Sequence, residues 1–192
     1  MRSAVVERKT SEVDITVKLN VDGEGKVNVE TGIKFLDHLL TTLTKHGLFD
    51  LTVRASGDLK HHVSEDVALA LGEALQKALT EKKGVMRFGS AYVPMDESLA
   101  RGVVDLGGRA YCCVDLKLAG SQVEDLKTED IEHFFTSFAQ ASKSNVHVAV
   151  LYGSNDHHKI EAATKALALA LRQAVTLEAR IEGKIPSTKG VL

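Results

Sequence analysis

The sequence predicts an α+β fold made by internal duplication: two copies of a β-β-β-α-β-α unit, giving two four-stranded sheets with helices packed between them. Three observations carry this reading. The chain resembles itself at an offset of 95 to 96 residues, each copy contains short β-branched runs, and each contains two stretches with apolar residues at helical spacing. One copy of about 90 residues buries only a modest core alone, so the copies are expected to pack helix layer on helix layer.

In chain order, residues 13–20 and 26–29 alternate or are rich in β-branched side chains and read as strands, as do 103–106 and 110–118 in the second copy. Asp22-Gly23-Glu24-Gly25 and Gly107-Gly108 have turn composition and are expected to close hairpins between them. Leu36, Leu39, Leu40 and Leu43 then match Ile131, Phe134, Phe135 and Phe138, a buried helical stripe in each copy, with His38 matching His133. A strand follows at 48–55 and at 145–152. After a one-residue slip, His61-His62 matches His157-His158 and Glu65 matches Glu161. An alanine- and leucine-rich helix follows in both copies, with Ala70, Leu71, Ala74, Leu75 and Ala78 against Ala166, Leu167, Ala170, Leu171 and Ala174. Residues 1–90 and 91–192 are the expected halves of one compact unit, the second carrying a C-terminal tail, with residues 84–94 merely joining them.

Composition narrows the function classes. A net charge of -2, with acidic and basic residues interspersed, argues against nucleic acid and anionic membranes as partners. No stretch suits a signal peptide or a membrane span, so the expected location is cytoplasmic. Cys112 and Cys113 are adjacent, with no second cysteine pair for a thiolate site, and read as free thiols in a strand.

Six of the eight histidines and two glutamates fall at equivalent positions of the two copies. A lone histidine is commonly a satisfied core or surface residue, but duplication in copies that otherwise differ points to metal ligation. With His61 opening a helix, Glu65 lies one turn on and can grip the same ion, as can His157 with Glu161. Adjacent side chains diverge by about 100° on a helix, so His62 and His158 should serve the other ion. Pseudo-symmetry then assigns His61, Glu65, His133 and His158 to one ion and His38, His62, His157 and Glu161 to the other. Four ligands leave open positions, which suits catalysis, and imidazole with carboxylate fits Mn, Fe, Co or Zn. The ligands of one ion could come from different subunits.

The chain resembles the imidazoleglycerol-phosphate dehydratase family, in its monofunctional form, along nearly its whole length. The matching stretches are Arg8-Lys9-Thr10-Ser11-Glu12, residues 32–50, residues 61–71 (HHVSEDVALAL), Arg87-Phe88-Gly89, Pro94-Met95-Asp96-Glu97, Glu132-His133-Phe134-Phe135, residues 157–161 and residues 185–192 (IPSTKGVL). The resemblance implies a ribosomal protein S5 domain 2-like fold and a hydro-lyase of histidine biosynthesis that dehydrates imidazole glycerol phosphate to imidazole acetol phosphate. It also implies two Mn ions per active site, shared between subunits of a homo-oligomer of 24 chains built from trimers.

In the implied reaction the imidazole ring is the electron source, because the proton to be lost does not neighbour a carbonyl. A metal on a ring nitrogen eases loss of the ring proton; the imidazolate expels the hydroxyl to give a diazafulvene, and loss of the neighbouring carbon's proton gives an enol that becomes the ketone. By resemblance Glu12 is the candidate general acid or base, with Glu161, His46 and Asp96 as helpers. Glu12, Arg87, Arg109, Lys165, Ser187 and Lys189 are the candidate substrate contacts, the cations and hydroxyl suiting a phosphate. The chain departs from the family at Thr42 and Val13, where many members carry Gln and Thr. A His-rich metal-binding or storage assembly without catalysis is the competing class; it needs neither Glu12, Arg109 nor the tail. A dinuclear phosphoesterase is a third, and the scarcity of Asp near the histidines counts against it.

Overall fold

The computed structural model describes all residues, Met1–Leu192. The first half runs β1 (Ser3–Lys9), β2 (Val13–Asn20), β3 (Val27–Glu30), α1 (Lys34–Gly47), β4 (Asp50–Gly57) and α2 (Lys60–Leu79). The second runs β5 (Phe88–Met95), β6 (Ser98–Asp105), β7 (Tyr111–Asp115), the short hairpin β8 (Gln122–Val123) and β9 (Leu126–Lys127), α3 (Thr128–Ser142), β10 (Asn145–Tyr152) and α4 (Asp156–Val175). The expected α+β duplication is present: two four-stranded sheets, ordered β1-β2-β4-β3 and β5-β6-β10-β7, enclose four helices.

Both sheets are mixed. β2 pairs with β1 and β4 antiparallel, while β3 lies parallel to β4, and the second sheet repeats this with β6, β5, β10 and β7. The expected hairpins at Asp22–Gly25 and Gly107–Gly108 are therefore corrected, because β2 and β3, like β6 and β7, are not neighbours. β3 and β4 are parallel and need a crossover, which α1 supplies. The 22–25 segment instead wraps the sheet end, where the Asp50 carboxylate accepts from the Glu24 and Lys26 backbone N–H groups at 2.8 and 3.0 Å.

Residues 84–94 do more than join the halves, since Phe88–Met95 is a full edge strand that continues across the position drawn between them. Its inward side begins with Gly89 and Ala91, too small to register as an apolar pattern. They are small because α4 lies against them. At Gly102 of neighbouring β6, an added Cβ would stand 2.6 Å from the Ala166 carbonyl carbon on α4. The equivalent residue in β2 is Val17.

β1 to β3 correspond to β5 to β7 at an offset of 85, whereas α1 and β4 correspond to α3 and β10 at 95. The β8–β9 hairpin is the insertion that changes the offset. The further slip to 96 coincides with the register shift in β10 between Val150 and Tyr152. One continuous core of 49 buried apolar residues spans both halves, so neither half covers its helices alone. It contains both predicted stripes, Leu36, Leu39, Leu40 and Leu43 on α1 and Ile131, Phe134, Phe135 and Phe138 on α3. α2 packs on the first sheet and against α3, and α4 packs on the second sheet and against α1. This crossed pairing brings a helix start from one half beside a helix from the other. Val13 and Thr42 are both buried in this interior.

Candidate metal centre and active site

Two three-residue clusters of nitrogen and oxygen donors form where the halves meet, His61, Glu65 and His133 in one and His38, His157 and Glu161 in the other, with the donor atoms of each set within 4.8 Å of one another. α2 begins at Lys60, so His61 and Glu65 fall one turn apart on one face, with His61 Nε2 3.6 Å from Glu65 Oε2. α3 brings His133 across from the other half, its Nε2 3.3 Å from Glu65 Oε1. The second cluster reverses the contributions: α4 supplies His157 and Glu161, 3.4 Å apart, and α1 supplies His38, whose Nε2 lies 3.0 Å from Glu161 Oε2.

Glu161 is the more enclosed carboxylate, at 9% exposure. Burial works against its charge, but hydrogen bonds from Lys165 (2.6 Å) and His38 outweigh that and hold its carboxyl at about 2. Near Lys165, at the end of α1, the His46 imidazole has its pKa pushed down by burial and by the Lys165 charge.

His62 and His158 do not join either cluster of their own chain. Each turns away from its neighbour as the helical geometry requires and meets a carboxylate: His62 Nδ1 lies 2.7 Å from Asp58 Oδ1, and His158 Nδ1 2.7 Å from Glu97 Oε2. These hydrogen bonds raise the pKa of both imidazoles. The bond from His158, with backbone N–H groups of Asn155 and Ser154, pulls the Glu97 carboxyl well below its ordinary range. Glu12, on the turn between β1 and β2, stands 3.9 Å from His62 Nδ1 and is half exposed. Asp96 lies 3.7 Å from His158 Nε2.

Arg87, Arg109, Ser187 and Lys189 line one open cleft of about 270 Å³ with Gly107, Gly108 and the last residues of the tail. Arg87 is already engaged there, donating to Asp105 at 2.7 Å and to the Pro186 carbonyl at 2.9 Å. Arg109 and Lys189 are the exposed cations. Lys165 is not part of this cleft and sits with Glu161. A larger concavity, about 560 Å³, lies elsewhere, on β1, β2, β3 and β4. It contains no histidine, and its single carboxylate, Asp50, is held by backbone N–H groups, so the chemistry belongs to the smaller sites.

Sequence reasoning missed four carboxylates beside the tandem histidines, Asp58, Glu97, Glu124 and Asp130. Glu97 belongs to the Pro94-Met95-Asp96-Glu97 stretch and Asp130 begins the segment that repeats around His133. Asp58, Glu124 and Asp130 have no carboxylate at an equivalent position of the other half.

The imidazoleglycerol-phosphate dehydratase family model matches residues 31–171. Among curated relatives, imidazoleglycerol-phosphate dehydratase of Chloroflexus aurantiacus is 51% identical over 195 residues, covering 100% of this chain and 95% of that protein. The same-named protein of Lacticaseibacillus casei is also 51% identical, with 100% of both chains covered. Among solved structures, imidazoleglycerol-phosphate dehydratase from Staphylococcus aureus superposes with a TM-score of 0.85 at 35% identity, covering 92% of this chain and 99% of that one. The Pyrococcus furiosus enzyme, crystallised in complex with (S)-C348, gives 0.84 at 35% identity, covering 97% and 100%. The duplicated sheets, the crossed clusters and these full-length matches agree, and the chain belongs to the imidazoleglycerol-phosphate dehydratase family.

Proposed function

We propose that this chain dehydrates imidazole glycerol phosphate to imidazole acetol phosphate in histidine biosynthesis, using divalent metal held by the two His/His/Glu clusters. The observation that carries the reading is the pair of open clusters with an uncommitted carboxylate, Glu12, beside the tandem histidine of one. Three nitrogen and oxygen donors gathered within 4.8 Å fit a divalent ion. His61, Glu65 and His133 would hold one ion and His38, His157 and Glu161 the other. His158 and His62 of neighbouring copies would add the fourth ligands, since neither reaches a cluster in its own chain. Two Mn ions, when bound, supply Lewis-acid polarisation of the substrate's ring nitrogens. A homo-oligomer of 24 chains built from trimers supplies the neighbouring copies.

The protein's own groups then divide the work. Arg109, Lys189 and Ser187 bind the phosphate, while Arg87, committed to Asp105, holds the tail through Pro186. Glu12 moves protons at the carbon skeleton: once the hydroxyl has left as water with the proton given up by the ring, Glu12 takes the proton from the carbon beside the ring-bearing carbon, and the resulting enol becomes the ketone. Asp96 lies next to His158 and assists there. Glu161, ionised at neutral pH by its Lys165 and His38 contacts, suits a ligand better than a proton donor. His46, its pKa depressed, is a neutral base beside Lys165.

Purified protein loaded with Mn and given imidazole glycerol phosphate should yield a ketone without releasing inorganic phosphate. Phosphate release would favour a phosphoesterase, and bound metal with neither product a storage protein.

A further inference from the structure

All four tandem histidines present the same nitrogen to a carboxylate. His61 Nδ1 lies 2.6 Å from Asp130 Oδ1, His62 Nδ1 2.7 Å from Asp58 Oδ1, His157 Nδ1 3.2 Å from Glu124 Oε1, and His158 Nδ1 2.7 Å from Glu97 Oε2. An ionised carboxylate only accepts, so each Nδ1 carries a proton, and in the neutral ring Nε2 is left with its lone pair. In the two rings that join clusters, Nε2 is the atom nearest the glutamate, at 3.6 Å in His61 and 3.4 Å in His157. The acidic partners have no common origin. Asp130 comes from the first turn of α3 in the opposite half, Asp58 from the residue after β4, Glu124 from the β8–β9 turn, and Glu97 from the β5–β6 turn. Asp130 is 3% exposed and its carboxylate meets the His61 imidazole as its one side-chain partner, so its burial is matched by this contact and by its place at a helix N-terminus.

We infer that Asp58, Glu97, Glu124 and Asp130 are dedicated positioning residues that fix the tandem histidines as Nδ1–H tautomers aimed to ligate through Nε2. The inference rests on the assignment of those histidines as metal ligands. Loss of such a partner lowers metal affinity by about 10- to 100-fold, because the freed ring rotates and also samples the tautomer that protonates the ligating nitrogen.

Asp58 is the cleanest test, being largely exposed and therefore replaceable without opening the core. Mn affinity of the intact assembly is measured by competition with a chelator for wild type, Asp58→Ala, Asp58→Asn and His62→Ala, with thermal melting of the metal-free proteins alongside. The expected result is about 10- to 100-fold weaker Mn binding in Asp58→Ala, substantial recovery in Asp58→Asn, whose amide oxygen still accepts from Nδ1, and a larger loss in His62→Ala. Weakened binding in His62→Ala with wild-type affinity in Asp58→Ala overturns the positioning role and leaves the ligand assignment standing. Unchanged affinity in His62→Ala overturns the assignment itself, and the positioning role with it. Glu97→Ala and Glu97→Gln repeat the comparison at His158, so a folding defect at one position leaves the other decisive.

Discussion

The two halves share a fold and a repeated histidine–glutamate pattern, yet one acidic position has opposite surroundings in them. Glu12 and Glu97 occupy the same place on the turn between the first two strands of each sheet, as the β1–β2 and β5–β6 registers require. Glu97 holds His158 at 2.7 Å, whereas Glu12 stands 3.9 Å from His62. The difference lies at the start of the last helix. Asp58 takes the His62 hydrogen bond, and the corresponding residue in the second half is Ser154, which offers no carboxylate and is itself held by Glu97. A partner supplied from elsewhere leaves Glu12 free for the proton transfer proposed for it, while its twin is tied to His158. The cleft at the tail diverges in the same way: Arg109 lines it in the second half, and the equivalent position of the first half is Glu24.

The largest effect should separate these twins. Glu12→Gln should lower kcat by about 10²- to 10⁴-fold with Mn affinity unchanged, whereas Glu97→Ala should act mainly on Mn affinity and respond to added Mn. Steady-state kinetics across a Mn titration checks both, and a Glu12→Gln enzyme turning over near the wild-type rate would remove Glu12 from the chemistry. Next, deleting residues 187–192 should raise KM for the phosphate substrate by at least about tenfold, the loss of a charge-assisted contact or more. An unchanged KM would separate the tail from the one-sided cleft.

Smaller effects probe the scaffold. Gly102→Val gives β6 the residue that β2 carries at Val17, but its Cβ would meet the α4 backbone at 2.6 Å. Destabilisation of about 1–3 kcal/mol in denaturant unfolding is expected, and a neutral result would mean α4 can shift away from β6 to admit the side chain. The smallest effect concerns the hairpin present only in the second half. Its Asp125 carboxylate caps α1 of the first half, accepting from the Lys34 and Phe35 backbone N–H groups at 2.9 Å each. Asp125→Ala should cost about 1 kcal/mol at neutral pH. Burial opposes the charge of Asp125, but these backbone bonds and Lys60 lower its folded pKa below the ordinary 3.8. Its contribution is therefore full above that value and disappears as pH falls through the folded pKa. The wild-type and Asp125→Ala stabilities should converge in acid, and a constant difference would assign the effect to packing.

What could be read from the chain follows from how narrowly each task restricts residue type. Metal ligation, the role proposed for them, tolerates few side chains, and His38, His61, His62, Glu65 and their counterparts stood out by repetition. The strands Val13–Asn20 and Asn145–Tyr152 announced themselves because every second residue faces a core. β5 did not, since its inward Gly89 and Ala91 are small to admit α4. The β8–β9 insertion shifted the repeat offset from 85 to 95, which concealed the kinship of Glu12 and Glu97. Orienting a histidine asks only for some carboxylate within reach, and Asp58, Glu124 and Asp130 meet that demand from unrelated positions.

The crossed division of ligands is tested most directly by the crystal structure of the Mn-loaded assembly with an anomalous difference map at the Mn absorption edge. Two peaks per chain are expected, one on His61, Glu65 and His133 and one on His38, His157 and Glu161, each completed by the second tandem histidine of the opposite half, His158 or His62, from a neighbouring chain. A single peak ligated by both His61 and His62 of one chain would contradict the account.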